Sequence, residues 1–306
     1  MLLAIDIGNT NITIGVFPPT SHHSGENITA KSDGNKNPPY KQSAPSSMWR
    51  ISSDSRRTAD EYGTQILDFL HYSLINKEDI SAVAISSVVP PLDEIINSAC
   101  KIYLKKNPLL IDHTHLTASN TGIKINVDNP QEVGIDRLVN ALAAHKLFPN
   151  RPAIVVDSGT ALTFDCVSRN GEYLGGVILP GLHSQAEALA RHTAKLPHVS
   201  IARPSRLIGK NTIECIRSGL WYSYIFTIKN FIGSMRLELG KNSIVIATGG
   251  DMAGIFSTEK KDIKEIDVFS PTLTLEGIKI LWELTSSADT KKQPVTTRSK
   301  KQITEV

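Results

Sequence analysis

Two short turns in this sequence place a carboxylate beside small polar residues at the end of an apolar strand. The first reads Asp6-Ile7-Gly8-Asn9-Thr10, and the second reads Asp157-Ser158-Gly159-Thr160-Ala161. A glycine lets backbone N–H groups approach a ligand closely, and such groups suit phosphate oxygens together with short hydroxyl and amide side chains. A carboxylate suits a Mg²⁺ ion held between phosphates, directly or through its water shell. The pair of turns therefore predicts a phosphate-binding site.

One Asp-x-Gly turn alone would be weak support, because β-hairpins use the same residues without any ligand. Its recurrence in the two halves of the chain favours an internal duplication and a shared function. A third glycine turn, Gly249-Gly250, follows the β-rich run Ile244–Thr248 and adds another point where a ligand could approach the backbone closely.

Two further blocks have an ordinary structural interpretation when only their residues are considered. Gly134-Ile135-Asp136-Arg137 opens a segment with apolar residues at helical spacing, so Asp136 falls in the first turn of a predicted helix. A first-turn aspartate is favoured by the helix dipole and requires no function. Thr212 stands at the head of another predicted helix, where a hydroxyl side chain is a common cap.

The elements that must position these residues alternate between strands and helices. Thr58 and Glu61 form a predicted capping box at the start of the first helix. The first half reads β-β-β-α-β-α-β, over 2–6, 11–17, 48–51, a helix after Thr58, 82–89, 92–104 and 108–112. The second half gives strands at 153–157, 161–167, 173–179 and 244–248, and helices at 182–194, 211–239 (with Gly219 and Gly233 as candidate breaks) and 274–284. This alternation predicts an α/β fold.

Composition excludes several classes of protein. Hydrophobic residues make up 40% of the 306 residues, which is enough for a large core, and the net charge of +3 gives no electrostatic case for nucleic acid or an acidic membrane. The three cysteines have no close spacing, which excludes a disulfide framework and fits a reducing compartment. No apolar run is long enough to span a membrane, and the first residues lack the features of a signal peptide. We therefore expect a cytoplasmic protein.

The sequence resembles the type III pantothenate kinases of the acetate and sugar kinase, Hsp70 and actin superfamily. The matching blocks, in chain order, are Asp6–Asn11, Arg56–Tyr62, Ile85–Pro90, Asp128–Pro130, Glu132–Arg137, Asp157–Ala161, Gly175–Gly181 and Gly209–Thr212. They cover nearly the whole chain outside 18–47 and the C-terminal tail. The resemblance implies two duplicated ribonuclease H-like domains with ATP in the cleft between them. It also implies ATP-dependent phosphorylation of pantothenate to 4'-phosphopantothenate, the first step of coenzyme A biosynthesis.

The resemblance also implies a role for each matching residue. Asp136 corresponds to the general base, and Gly134, Ile135, Asp136, Arg137 and Thr212 correspond to the pantothenate site. The first phosphate loop is formed by Asp6, Ile7, Gly8, Asn9, Thr10, Asn11, Ile12 and Thr13, and Thr160 corresponds to a further ATP contact. Asp157 corresponds to the ligand of a monovalent cation, K⁺ or NH₄⁺, while Mg²⁺ is inferred from the ATP chemistry. Members of this family are homodimers, so a homodimer is expected here.

The domain organisation follows from these assignments. Residues 1–115 form the predicted N-terminal domain, with 18–47 as a disordered insertion, and 116–285 form the C-terminal domain with its substrate-site helix at 134–147. Residues 286–306 are a predicted disordered tail. One departure is Val127, which stands where many family members have a tyrosine that contacts pantothenate. Two alternatives stay open: another small-molecule kinase of the superfamily, and a non-catalytic regulatory module.

Overall fold

The computed structural model of the chain describes residues 1–19, 43–193, 195–252, 255 and 263–291. The bulk of the predicted insertion, 20–42, and the end of the tail, 292–306, lie outside the described residues. Within the described ranges the chain forms two mixed β-sheets with three layers of helices around and between them. The fold is therefore α/β, as the alternation of elements predicted.

The first sheet is built from the N-terminal third of the chain. Its strands are β1 (Leu2–Ile7), β2 (Asn11–Phe17), β3 (Ser47–Ser52), β4 (Ala82–Ser87) and β5 (Leu109–Leu110), in the order β3-β2-β1-β4-β5. The helices of this part are α1 (Ala59–Tyr72) and α2 (Pro90–Ala99), and α2 continues into a π-helical turn, Cys100–Leu104. Helix α1 begins with the predicted capping box, in which Thr58 and Glu61 each accept a hydrogen bond from the other's backbone N–H.

The second sheet repeats this arrangement with one additional strand. Its strands are β6 (Lys124–Ile125), β7 (Ala153–Ser158), β8 (Ala161–Val167), β9 (Glu172–Pro180), β10 (Ile244–Thr248) and β11 (Val268–Phe269), in the order β11-β10-β7-β8-β9-β6. Its helices are α3 (Ala118–Thr121), α4 (Ile135–Leu147), α5 (Leu182–Arg191), α6 (Thr212–Leu239) and α7 (Leu273–Lys291). Strands β7 to β11 thus follow the same order as β1 to β5. This repeat confirms the duplicated ribonuclease H-like architecture.

Successive side chains of the central strands point to opposite faces of each sheet, and both faces are covered. In β1, Leu2 and Ala4 pack into the core between the two sheets, whereas Leu3 and Ile5 pack under α1 and α2. Strand β7 divides in the same way between the central core and a separate core under α5 and α6. Strands buried on both faces are near-continuous apolar runs, which explains why the sequence made them recognisable.

Helices α4 and α7 form the layer between the sheets. Helix α7 contacts β1, β2 and β4 of the first sheet, and it also packs along α4. The two helices approach closely at Gly277, where an added Cβ would lie 2.2 Å from the backbone oxygen of Val139. Helix α4, which carries Asp136 in its first turn, is thereby held between the sheets by α7.

Several elements differ in extent from the sequence prediction. Helix α6 is continuous through Gly219 and Gly233, and α2 begins at Pro90 rather than at Leu92. Helix α7 extends to Lys291, so the first residues of the predicted disordered tail are helical. The end of the predicted insertion is also ordered, because Ser47 belongs to β3 and Ser43 hydrogen-bonds to α7 through Glu276 and Lys279. The local composition of 18–47 does not predict these polar contacts, because they are made with a helix that is distant in the sequence.

Candidate active site

The two Asp-x-Gly turns meet in the cleft between the sheets. Asp6 is the penultimate residue of β1, and Asp157 has the same place in β7. The hydroxyl oxygens of Thr10 and Thr160 lie 2.7 Å apart, so a hydrogen bond joins the two turns directly. The duplication therefore brings two carboxylates and two phosphate-type turns to a single place.

The cleft between the turns has a volume of about 720 Å³, within the roughly 300–1,000 Å³ range of small-molecule sites. Its lining includes ten of the residues predicted for the site, namely Asp6, Gly8, Asn9, Thr10, Asn11, Thr13, Asp136, Arg137, Asp157 and Thr160. The glycine pair Gly249-Gly250 lines it as well.

Asp136 reaches the cleft from the first turn of α4, whose cap residue is Gly134. Its Oδ1 accepts a hydrogen bond of 2.8 Å from the backbone N–H of Arg137, which folds the carboxylate back across the start of the helix. An added Cβ at Gly134 would lie 2.5 Å from this oxygen, so the position of the carboxylate requires a glycine there. Burial raises the pKa of Asp136, although the hydrogen bond from Arg137 opposes the shift.

Arg137 is fixed by a buried partner that the motifs did not indicate. Its Nη2 and Nε lie 2.7 Å and 2.9 Å from Oδ1 of Asp165, whose side chain is fully buried in β8. The hydroxyl of Tyr173 donates a third hydrogen bond to the same oxygen at 2.7 Å. Charge-assisted hydrogen bonds of this kind hold a guanidinium in one orientation. Arg137 therefore lines the cleft with its direction already set.

The carboxylates of the cleft affect one another's protonation. Burial raises the pKa of Asp6 to about 8, and the charges of Asp136 and Asp157 add to the shift. Burial raises the pKa of Asp157 to about 7, and the charges of Asp136 and Asp165 add to it, while a hydrogen bond from Asn140 opposes it. Like charges in a buried site disfavour the ionised form. A cation entering the cleft would relieve this repulsion.

Comparison with known proteins identifies the family. The sequence model described as type III pantothenate kinase matches residues 2–234. A type III pantothenate kinase from Moorella thermoacetica is 41% identical over 283 residues, which cover 92% of this chain and 99% of the relative. A relative with the same description from Koribacter versatilis is 37% identical, covering 96% of this chain and 99% of its own length. The chain belongs to the type III pantothenate kinase family.

A more distant likeness is found among solved structures. The activator of the 2-hydroxyisocaproyl-CoA dehydratase from Clostridium difficile aligns with 96% of this chain and 99% of its own, at 12% identity and a TM-score of 0.48. The assignment of the fold therefore rests on the strand order of the two sheets. Within the described part of the chain, no helix is long and apolar enough to cross a membrane.

Several residues that match the motifs of the pantothenate kinase family lie outside the cleft lining. Ile7 and Ile12 are fully buried under α1 and α2, and Ile135 is buried in the core between the sheets. For these three residues only the backbone remains available to a ligand. Val127, at the position of the family's tyrosine, packs against the same central core and lies beside Gly175.

Thr212 lies in a neighbouring groove between α5 and α6, with Gly209, Lys210 and Asn211 beside it. The groove has a volume of about 1050 Å³ and a mainly apolar lining. Ser184 of α5 lines both the groove and the cleft, so the two spaces adjoin at this residue. The structure thus places Thr212 next to the cleft and not within it.

Four ionisable residues of the cleft lining were missed by sequence reasoning, and one of them is Glu187 of α5. Arg50 lies on β3, His183 lies on α5, and Asp251 follows the glycine pair. His183 Nε2 and Asp251 Oδ1 are 3.7 Å apart. Asp251 could have been suspected from its place after Gly249-Gly250. Arg50 and His183 occupy ordinary strand and helix positions, and only the packing of the two sheets reveals them.

Proposed function

We propose that this chain transfers the terminal phosphoryl group of ATP to the hydroxyl group of pantothenate, with Asp136 as the general base. Family membership supports the reaction, since the relatives are described as type III pantothenate kinases. The observation that carries the assignment of roles is the meeting of the Asp6 turn, the Asp157 turn and Asp136 in one cleft. Phosphoryl transfer depends mainly on positioning and on charge neutralisation, and this cleft offers groups for both.

Asp136 suits the role of base because it is held at the start of α4 and its pKa is raised. A base works best when its pKa is close to the pH at which the enzyme operates. In the proposed step the hydroxyl oxygen of pantothenate bonds to the γ-phosphorus while the bond from that phosphorus to the β–γ bridging oxygen of ATP breaks. The hydroxyl proton passes to Asp136, and ADP leaves with the electron pair of the broken bond.

The nucleotide site is proposed at the two hairpin turns. The phosphates would lie along the turn from Asp6 to Thr13, with Thr160 as a contact from the second turn. Asp6 Oδ1 is buried and receives no hydrogen bond from the described residues, which fits a role in holding the water shell of Mg²⁺. In the described part of the chain, no three His, Cys, Asp or Glu side chains form a metal-binding cluster. The Mg²⁺ would therefore depend on the phosphates for most of its ligands.

A monovalent cation, K⁺ or NH₄⁺, is proposed at Asp157. Asn140 donates a hydrogen bond of 3.1 Å to Asp157 Oδ2, and Asn140 Oδ1 is buried without a partner among the described residues. An uncharged amide oxygen beside a carboxylate suits an ion of low charge. The test is the reaction rate in sodium buffer, which should be low and should recover when potassium or ammonium is added. Equal rates in all three buffers would remove this role from Asp157.

Pantothenate is proposed to lie along the start of α4, near Gly134, Ile135 and Arg137, because a guanidinium suits its carboxylate or amide oxygens. Thr212 would reach it from the adjoining groove.

We also propose a cytoplasmic homodimer that pairs through α6 and the segment just before it. Four large apolar side chains on α6 or just before it are exposed, at Leu207 (58% exposed), Ile208 (82%), Ile213 (46%) and Phe226 (49%). Exposed large apolar side chains of this number on one element would be covered by a partner subunit that packs along α6.

The proposed function is tested by measuring ATP turnover with pantothenate, pantetheine and a panel of sugars. Phosphorylation of pantothenate alone, with the product identified by mass, is the expected result. Turnover with another acceptor and none with pantothenate would point to a different small-molecule kinase. Absence of turnover with every acceptor, in potassium buffer with Mg²⁺, would favour the non-catalytic regulatory module.

A further inference from the structure

Arg50 is a cation in the wall of the cleft that has no carboxylate partner. Among the basic side chains of the cleft lining, Arg137 pairs with Asp165 and His183 faces Asp251. No carboxylate oxygen of the described residues lies within 4.0 Å of the Arg50 guanidinium. Its side chain is exposed to the cleft and is therefore free to meet a ligand.

The position of Arg50 bridges the two sheets. In the register of the first sheet it pairs with Thr13, at the end of the predicted phosphate turn. Its guanidinium reaches to the glycine pair that follows β10, where an added Cβ at Gly250 would lie 2.9 Å from Nη1. The positive charge of Arg50 acts on both Asp6 and Asp251, where it opposes the rise in pKa that burial causes. Arg50 thus extends from β3, beside the end of the first predicted phosphate turn, to the glycine pair of the second sheet.

The charge balance of the cleft indicates what this cation binds. The cleft is lined by five acidic side chains, Asp6, Asp136, Asp157, Glu187 and Asp251, and a polyphosphate brings further negative charge. Such a ligand is held only if positive groups offset the repulsion, and Arg137 is already bound to Asp165. A guanidinium donates several N–H groups in a planar fork that matches phosphate oxygens.

We propose that Arg50 binds the polyphosphate chain of ATP directly, across the mouth of the cleft. This role rests on the proposed nucleotide site and adds to it a residue that the phosphate turns do not contain. A larger side chain at position 250 would displace the guanidinium from its present place, because an added Cβ would lie 2.9 Å from Nη1. A ligand without phosphates would gain nothing from Arg50.

The experiment measures the equilibrium binding of ATP, ADP and adenosine to the full chain by calorimetry, with Mg²⁺ and without pantothenate. We expect Arg50→Gln to lower the affinity for ATP by roughly 10- to 100-fold, the usual scale for losing charge-assisted hydrogen bonds. The affinity for adenosine should stay unchanged, and Arg50→Lys should lose less than Arg50→Gln. Arg169→Gln is the matched control, because Arg169 is exposed in the turn between β8 and β9, outside the cleft lining.

Three outcomes separate the possibilities. Unchanged ATP affinity in Arg50→Gln would overturn the proposal. An equal loss for ATP and adenosine would also overturn it, because the substitution would then have disturbed the cleft as a whole. A selective loss of ATP affinity supports the role of Arg50 even if the wild-type chain fails to phosphorylate pantothenate, in which case only the proposed acceptor is wrong.

Discussion

At the scale of single residues, Asp136 combines a fixed position with a raised pKa. Asp136→Asn keeps the size of the side chain and removes the proton acceptor, so turnover should fall by roughly 10²- to 10⁴-fold. ATP affinity and melting temperature should remain at or above the wild-type values, because a buried charge has been removed. Asp68→Asn, on the exposed face of α1, is the control and should keep full activity. Near-normal turnover in Asp136→Asn would exclude the residue from the mechanism.

The glycine before this aspartate offers a finer test of its position. In Gly134→Ala the new Cβ would lie 2.5 Å from Asp136 Oδ1, so the carboxylate must turn away from its present place. We expect kcat to fall by about 10-fold or more, because misplacing a catalytic group by about 1 Å is costly. The melting temperature should change little, since the displaced atom is the end of a short side chain. Gly233→Ala is the control, because nothing lies within 4 Å of a Cβ at that position of α6.

At the scale of the elements, the contact of α7 with α4 fixes the position of the helix that carries Asp136. A Cβ at Gly277 would lie 2.2 Å from the backbone oxygen of Val139, and backbone cannot move aside as a side chain can. Gly277→Ala should therefore destabilise the chain by roughly 1–3 kcal/mol, the usual range for overpacking. Gly233→Ala should be neutral or stabilising, because alanine favours a helix by about 1 kcal/mol over glycine. Denaturant unfolding measures both, and equal midpoints would contradict the close approach.

The sequence predicted what depends on local pattern. The strands that carry Asp6 and Asp157 were recognisable because they are apolar on both faces. The helix after Thr58 was recognisable because Thr58 and Glu61 have the spacing of a capping box. The continuity of α6 was not predictable from Gly219 and Gly233. The propensity cost of two exposed glycines is offset by the long buried face that the helix packs against the second sheet.

The contacts that depend on the meeting of distant elements were missed. Asp165 reaches Arg137 only because β8 lies beside α4, and Arg50 enters the cleft only because the two sheets face each other. Neither residue belongs to a local motif with a recognisable chemistry. The polar contacts of Ser43 with α7 were missed for the same reason.

At the scale of the whole molecule, the buried carboxylates make stability depend on pH. The folded chain keeps the Asp6 proton up to about pH 8, whereas an unperturbed aspartate loses it near the ordinary value of 3.8. Between these values the folded state binds more protons than the unfolded state, so this group's contribution to stability decreases as the pH rises. In the ligand-free protein, this loss of stability arises in the cleft where cations are proposed to bind.

Asp6→Asn removes one of these groups and tests the coupling. Its melting temperature, measured without nucleotide, should exceed that of the wild type at pH 8.5, because the wild type must then bury the charged form of Asp6 beside Asp136 and Asp157. The two proteins should differ little near pH 4, where Asp6 is protonated in the folded wild type. Asp68→Asn, which changes an exposed carboxylate, should follow the wild-type curve throughout. Parallel curves for Asp6→Asn and the wild type from pH 4 to 8.5 would show that Asp6 does not titrate with a raised pKa.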